Sequence, residues 1–131
     1  MAEPQPKVFE YAVELDRDGR ASIPSGESLH PPESWTGDHL LLTALLRCSI
    51  DSLTYHARRT GSATHATGSA SGRITKRASD GRYAFVEIEC RIGATLEPPT
   101  GDPAELIAKA ERDCFVGASL TIKPRYVWHL A

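Results

Sequence analysis

The chain has 131 residues, 40% of them hydrophobic and 24% charged, with a net charge of −2. That fits one domain able to bury a core without disulfides or metal, and the charge is too small for a nucleic-acid surface. No apolar run approaches the roughly 20 residues of a membrane span.

Residues 1–6 read as a frayed, polar start. MAEPQPK holds no apolar leader core, which predicts a cytoplasmic protein. From Lys7 the chain alternates, with Phe9, Tyr11, Val13 and Leu15 on one face and Glu10, Glu14 and Asp16 on the other. Period two predicts a half-buried strand. Asp18-Gly19 marks a two-residue hairpin turn, and Arg20 to Ile23 is the expected return strand. In that register Arg17 continues the apolar face and Arg20 stands opposite it. Residues 24–36, with Pro31-Pro32, read as a loop.

Gly37 to Gly61, GDHLLLTALLRCSIDSLTYHARRTG, holds the longest apolar run. Leu40, Leu41, Leu42, Ala44, Leu45, Leu46, Cys48 and Ile50 cover most of the circumference of a helix. Such a helix is buried on several sides, so a central helix wrapped by other elements is expected. Thr36 or Asp38 is its expected cap. His56, Arg58 and Arg59 suit its C-terminal end, and Gly61 is its stop.

A second hairpin follows, residues 63–79 and 82–96 around Asp80-Gly81. In its second arm Ala84, Val86, Ile88, Cys90, Ile92 and Ala94 share a face. Pro98 to Gly101 breaks the chain. A second helix then starts, with Asp102 as N-cap, Pro103 at N1 and Glu105 completing a capping-box pattern. Leu106, Ala110 and Cys114 share its buried face, and Gly117 disturbs or ends it. Residues 121–130 form a closing strand, where Pro124 predicts an edge position or a strand start. The order is β-β-α-β-β-α-β, an α+β domain spanning residues 1–131.

Three cysteines are an odd count and read as thiols of a reducing compartment. Cys90 belongs to an apolar strand series and reads as a small core residue. Cys48 and Cys114 lie on predicted helices. Arg47 adjoins Cys48, and the first hairpin supplies Arg17 and Arg20. A thiol ionises near neutral pH only beside positive charge or a dipole. Burial in mid-helix raises its pKa, so Cys48 is reactive only if an arginine reaches it. Two buried structural thiols are the competing reading. His30, His39, His56, His65 and His129 form no metal-ligand pattern, so no metal is expected.

Taken together, the DRDGRA turn, GDHLLLTALLRC on a helix, a second hairpin, AERDCFVGASL and a closing strand resemble the OsmC/Ohr family. These are osmotically inducible and organic-hydroperoxide-resistance proteins, and the resemblance covers nearly the whole chain. It implies an OsmC-like fold and an intertwined homodimer with the buried helices at its centre. It also implies a thiol peroxidase that reduces organic hydroperoxides. Residue by residue, Cys48 matches the peroxidatic cysteine and Cys114 the resolving one. Arg17 matches the arginine that holds the thiolate, with Arg20 as second choice. Asp38 takes the place of a helix-start glutamate that pairs with that arginine. An external dithiol would restore the thiols, and no bound cofactor, nucleic acid or membrane is implied.

Two positions depart from the family pattern. Asp38 is one methylene shorter than glutamate, and Phe115 follows Cys114 where proline is usual. Asp38 and Cys48 are also ten residues apart, about 15 Å along a helix. They cannot meet through one helix, so if Asp38 and its arginine serve Cys48, they come from a partner chain. The alternative function is a non-catalytic module of the same fold that binds a small apolar ligand at the dimer interface.

Overall fold

The computed structural model describes residues 5–131, so four of the six residues expected to fray lie outside the described residues. The chain divides into two compact units, one ending at Thr36 and the other spanning Gly37–Ala131.

The first unit is a small antiparallel meander of β1 (Glu14–Leu15), β2 (Ala21–Ser22) and β3 (Ser28–Leu29). The strand expected from Lys7 shrinks to two residues. Phe9, Tyr11, Val13 and Leu15 are 57%, 84%, 66% and 73% exposed, so the alternation does not produce a half-buried face. The first turn is also longer than expected. Leu15 pairs with Ala21, and Asp16 N–H donates to Arg20 C=O at 3.0 Å. Three residues therefore form the loop, with Gly19 at φ +86° closing it. That is a three-residue hairpin with its glycine in the left-handed region. One added residue changes the parity of the register. Arg20 thus stands opposite Asp16, not opposite Arg17. The Asp16 carboxylate holds the turn by accepting the N–H groups of Asp18 and Arg20, both at 2.9 Å. The expected loop 24–36 contains β3, because a second turn at Gly26 (φ +93°) folds Ser28–Leu29 back onto β2.

The second unit opens with α1 (Gly37–Arg59). Leu45, Ser49, Ser52, Leu53, His56 and Ala57 are its buried residues. They recur every three or four positions and form one stripe. Full burial of Leu45 and Leu53 contributes roughly 1.5–3 kcal/mol each. The wider burial expected from the apolar circumference stops short within one chain: Leu40 is 37% exposed, and Leu41, Leu42, Leu46 and Ile50 are half-buried. The stop at Gly61 is a left-handed cap (φ +89°). Gly61 N–H donates to Arg58 C=O at 3.0 Å and Ser62 N–H to Ala57 C=O at 2.9 Å. That paired pattern satisfies carbonyls that a bare helix end leaves open.

Next come β4 (Ala63–Lys76) and β5 (Tyr83–Glu97), paired antiparallel, then α2 (Pro103–Arg112), α3 (Phe115–Ala118) and β6 (Arg125–Leu130). β6 runs parallel to β5, giving the sheet order β4-β5-β6. A parallel pair needs a crossover, and α2 and α3 form it. Pro124 directly precedes this edge strand, as its missing N–H requires. The fold is α+β as expected, with one added strand and one added short helix.

Two local features differ from the expectation. A bulge lies between Arg73 and Ile74, where Arg73 pairs with Glu87 and Ile74 with Phe85. Val86 is the extra residue, so Phe85 rather than Val86 packs on the core. Only half of the capping box forms. Asp102 accepts Glu105 N–H at 3.0 Å, but the Glu105 carboxylate pairs with Lys109 at 3.1 Å and Asp102 N–H donates to Thr100 Oγ1 at 3.2 Å.

α1 lies close to β4 at Gly68. A Cβ there would stand 2.8 Å from Arg91 O, 3.1 Å from Leu46 Cδ2 and 3.3 Å from Ile92 Cγ1. The backbone oxygen cannot yield as a side chain does. Gly68→Ala is expected to cost about 1–3 kcal/mol of stability, read as a lower urea midpoint. An unchanged midpoint would refute this tight helix–sheet packing.

Candidate active site

Two apolar clusters lie along α1. Around its C-terminal half, Leu53 and Ala57 meet Ala94, Leu96, Leu106 and Ala110. Around its N-terminal half, Leu45 meets Ile88, Cys90 and Cys114, with Cys48, Val116 and Tyr126 packed against them. All three thiols of the chain belong to this second cluster. Cys48 is half-buried, while Cys90 and Cys114 are 0% exposed.

Cys114 reaches the cluster through a break in the chain direction. α2 ends at Arg112, where Asp113 is its C-cap and donates its N–H to Lys109 C=O at 3.0 Å. Cys114 is therefore not the last residue of α2, as its spacing from Leu106 and Ala110 suggested. It is the N-cap of the four-residue α3. Asp113 anchors this corner. It accepts from His56 Nε2 of α1 at 2.7 Å and from Arg112 at 2.9 and 2.8 Å. Arg112, and secondarily His56, hold the Asp113 carboxyl down at about 2. The ionised carboxylate thus joins the end of α2 to α1, one residue before the thiol.

Around Cys114 the polar groups are few and close. Gly117 N–H donates to Cys114 Sγ at 3.4 Å. Ser49 Oγ lies 3.4 Å from the same sulfur and 3.0 Å from Tyr126 Oη. Ser49 also donates to Leu45 C=O at 2.7 Å. Burial, the largest cause, keeps the Tyr126 phenol well above its ordinary range, so it stays protonated.

Burial is also the largest cause of the upward shift of the Cys48 thiol. The backbone of Val116 draws it partly back, and neighbouring Cys114 raises it again. Burial likewise pushes Cys90 up to about 11. Cys48 and Cys114 are thus near enough to act on one another. Arg47 follows a different direction: its side chain is 82% exposed and lies 3.9 Å from Asp51. Adjacent helical residues do not share a face, and Arg47 points to solvent while Cys48 points inward.

The remaining candidate residues belong to other segments of the chain. Asp38 is in the first turn of α1, ten residues before Cys48. Arg17 and Arg20 are exposed residues at the first turn of the other unit, where Arg20 Nη1 donates to Ser28 Oγ at 3.2 Å. Among the described residues no cluster of three or more His, Cys, Asp or Glu side chains has the arrangement to hold a metal ion. No helix among them is long and apolar enough to cross a membrane.

Ser49 and Tyr126 are not among the residues that the sequence singles out. One signal for Ser49 exists: it sits four residues after Leu45 on the buried stripe, where a hydroxyl must find a partner. Tyr126 carries no such signal, because an aromatic in a strand reads as packing.

No protein-family model matches the sequence, and no curated protein matches it. Solved structures do. An OsmC-like protein from Vibrio cholerae superposes with a TM-score of 0.76 at 12% identity, over 92% of this chain and 99% of that one. An OsmC-like protein from Mycoplasma pneumoniae gives 0.70 at 14% identity, over 97% and 99%. The chain has the OsmC-like fold. An organic hydroperoxide resistance protein from Elizabethkingia anophelis shares it less closely, with a TM-score of 0.59 at 14% identity over 97% and 100%. Within the OsmC-like fold of this chain, the apolar thiol cluster holds a half-buried sulfur, Cys48, with the buried Cys114. Such a pair is suited to dithiol–disulfide chemistry once Cys48 is ionised.

Proposed function

We propose that this protein is a cysteine-based peroxidase of the OsmC/Ohr family that reduces organic hydroperoxides to alcohols. The supporting observation is the half-buried Cys48 beside the fully buried Cys114 in one apolar cluster. Solved neighbours of the same fold include organic hydroperoxide resistance proteins. In this reading the Cys48 thiolate attacks the distal peroxide oxygen. The O–O bond breaks, the departing alkoxide takes a proton to leave as alcohol, and Cys48 becomes a sulfenic acid. Cys114 then displaces hydroxide from that sulfur, giving a Cys48–Cys114 disulfide and water. An external dithiol restores both thiols by exchange.

Ionising Cys48 requires positive charge, since burial works against it. We assign that charge to Arg17, with Arg20 as second choice and Asp38 as the carboxylate that holds the arginine. We place them on a second copy of the chain. The uncovered apolar face of α1 and the exposed Val8, Tyr11, Val13 and Leu15 favour a homodimer.

One complementation experiment tests both assignments. Arg17→Ala and Cys48→Ser are each expected to lose most activity toward cumene hydroperoxide with a dithiol, and Arg20→Ala to retain it. Co-refolding the two inactive variants is expected to restore about a quarter of wild-type activity. Half of the random dimers are mixed, and one of the two sites in each is whole. Absence of recovery would place the arginine on the same chain as its cysteine.

A rival reading also has an observation in its favour: a thiol raised by burial is what a packing residue displays. It makes the protein a binding module for a small apolar ligand at the dimer interface. Within the single chain, an open cavity of about 350 Å³ is a poor host for such a ligand. Arg73, Glu87, Glu89, Lys123 and Arg125 are among its lining residues. A wild-type protein that consumes no peroxide would favour this rival.

A further inference from the structure

The resolving step poses a problem of its own. To attack a sulfenic acid Cys114 must give up its proton, and it is 0% exposed. The titratable groups packed in its cluster are Cys48 from α1, Cys90 from β5 and Tyr126 from β6. Asp113, next to it in the chain, is taken up by His56 and Arg112. Hydrogen-bond donors are what remain to stabilise a thiolate there.

We propose that Ser49 and Tyr126 are positioning residues that let Cys114 ionise in place. The inference rests on Cys114 being the resolving thiol. In the reduced protein Ser49 gives its hydrogen to Leu45 C=O at 2.7 Å. Its oxygen then accepts from Tyr126 Oη at 3.0 Å and from the Cys114 S–H at 3.4 Å. When Cys114 loses its proton, the Ser49 hydroxyl turns from the carbonyl to the sulfur. Tyr126 Oη backs it, and Gly117 N–H already donates to the sulfur at 3.4 Å. Two donors, the Ser49 hydroxyl and the Gly117 N–H, then hold the thiolate. Cys114 supplies the electron pair of the new S–S bond as the S–O bond of the Cys48 sulfenic acid breaks. The proton released from Cys114 ends on the departing hydroxide as water.

The space is shaped for this set. A Cβ at Gly117 would lie 3.3 Å from Tyr126 Oη and 3.4 Å from Cys114 Sγ. Glycine there lets the backbone N–H, the sulfur and the phenol converge. The Tyr126 ring is itself fixed by stacking on Trp128, with centroids 5.4 Å apart. Trp128 Nε1 in turn donates to Glu111 Oε2 at 3.0 Å.

The test reads ionisation directly and needs no peroxide. In a Cys48→Ser/Cys90→Ala background, the Cys114 thiolate is titrated by ultraviolet absorbance against the same chain carrying Cys114→Ala. Adding Ser49→Ala is expected to raise the midpoint by about one pH unit or more, and Tyr126→Phe by less. Tyr126→Phe keeps the ring and so guards against a folding defect. Ser49→Thr, which keeps the hydroxyl, is expected to restore the midpoint. Equal midpoints in all of these chains overturn the inference. Failure of the wild type to consume hydroperoxide would overturn the function instead, and the two results are read in separate experiments.

Discussion

Cys48→Ser is expected to abolish hydroperoxide reduction from the first turnover, by at least about a thousandfold. The seryl oxygen is a far weaker nucleophile, and nothing else in the cluster replaces it. Cys114 is fully buried, and Cys90 is held up at about 11 by burial. The fold is expected to survive, because one sulfur becomes one oxygen at a half-buried position. The check is a single-turnover assay with one equivalent of cumene hydroperoxide, alongside an unchanged far-ultraviolet spectrum. Residual activity within tenfold of wild type would move the peroxidatic role to another thiol.

Cys114→Ser is expected to behave differently. The first step needs only Cys48, so one peroxide per site is consumed. The sulfenic acid then has no partner thiol, and excess hydroperoxide carries it to sulfinic and sulfonic acid. Turnover with a dithiol is expected to fall by at least about tenfold while the first-equivalent burst remains. Intact-mass measurement follows the added oxygens on Cys48. Sustained turnover without overoxidation would show that the external dithiol reduces the sulfenic acid directly, leaving Cys114 a packing residue.

Much of this arrangement can be read from residues alone, for identifiable reasons. α1 is legible because its apolar run is long and Gly61 supplies a left-handed stop. β5 is legible because Ile88, Cys90, Ile92 and Ala94 alternate, and all four are buried. Asp102 and Pro103 announce α2 by local chemistry that tertiary contacts do not override.

The illegible parts depend on a count of one residue. A three-residue loop at Arg17 to Gly19 reverses the face of Arg20, and the bulge at Val86 exchanges it with Phe85. Dipeptide turn signals do not fix loop length, and period-two patterns do not reveal an inserted residue. The end of α2 before Cys114 is also hidden. The buried face continues through Leu106, Ala110 and Cys114 even though the helix stops. The site is legible as cysteines but not as an environment. Ser49 and Tyr126 become partners of Cys114 only through packing of α1 against α3 and β6, which no spacing encodes.

The proposed chemistry stands or falls on the pairing of Cys48 with Cys114. The reduced wild-type protein is treated with one equivalent of cumene hydroperoxide, quenched in acid, digested and analysed by mass spectrometry without reduction. The prediction is a peptide pair joined through Cys48 and Cys114, with Cys90 a free thiol and the alcohol formed in equal amount. Three free thiols with the hydroperoxide unconsumed, or a bridge that includes Cys90, would contradict it.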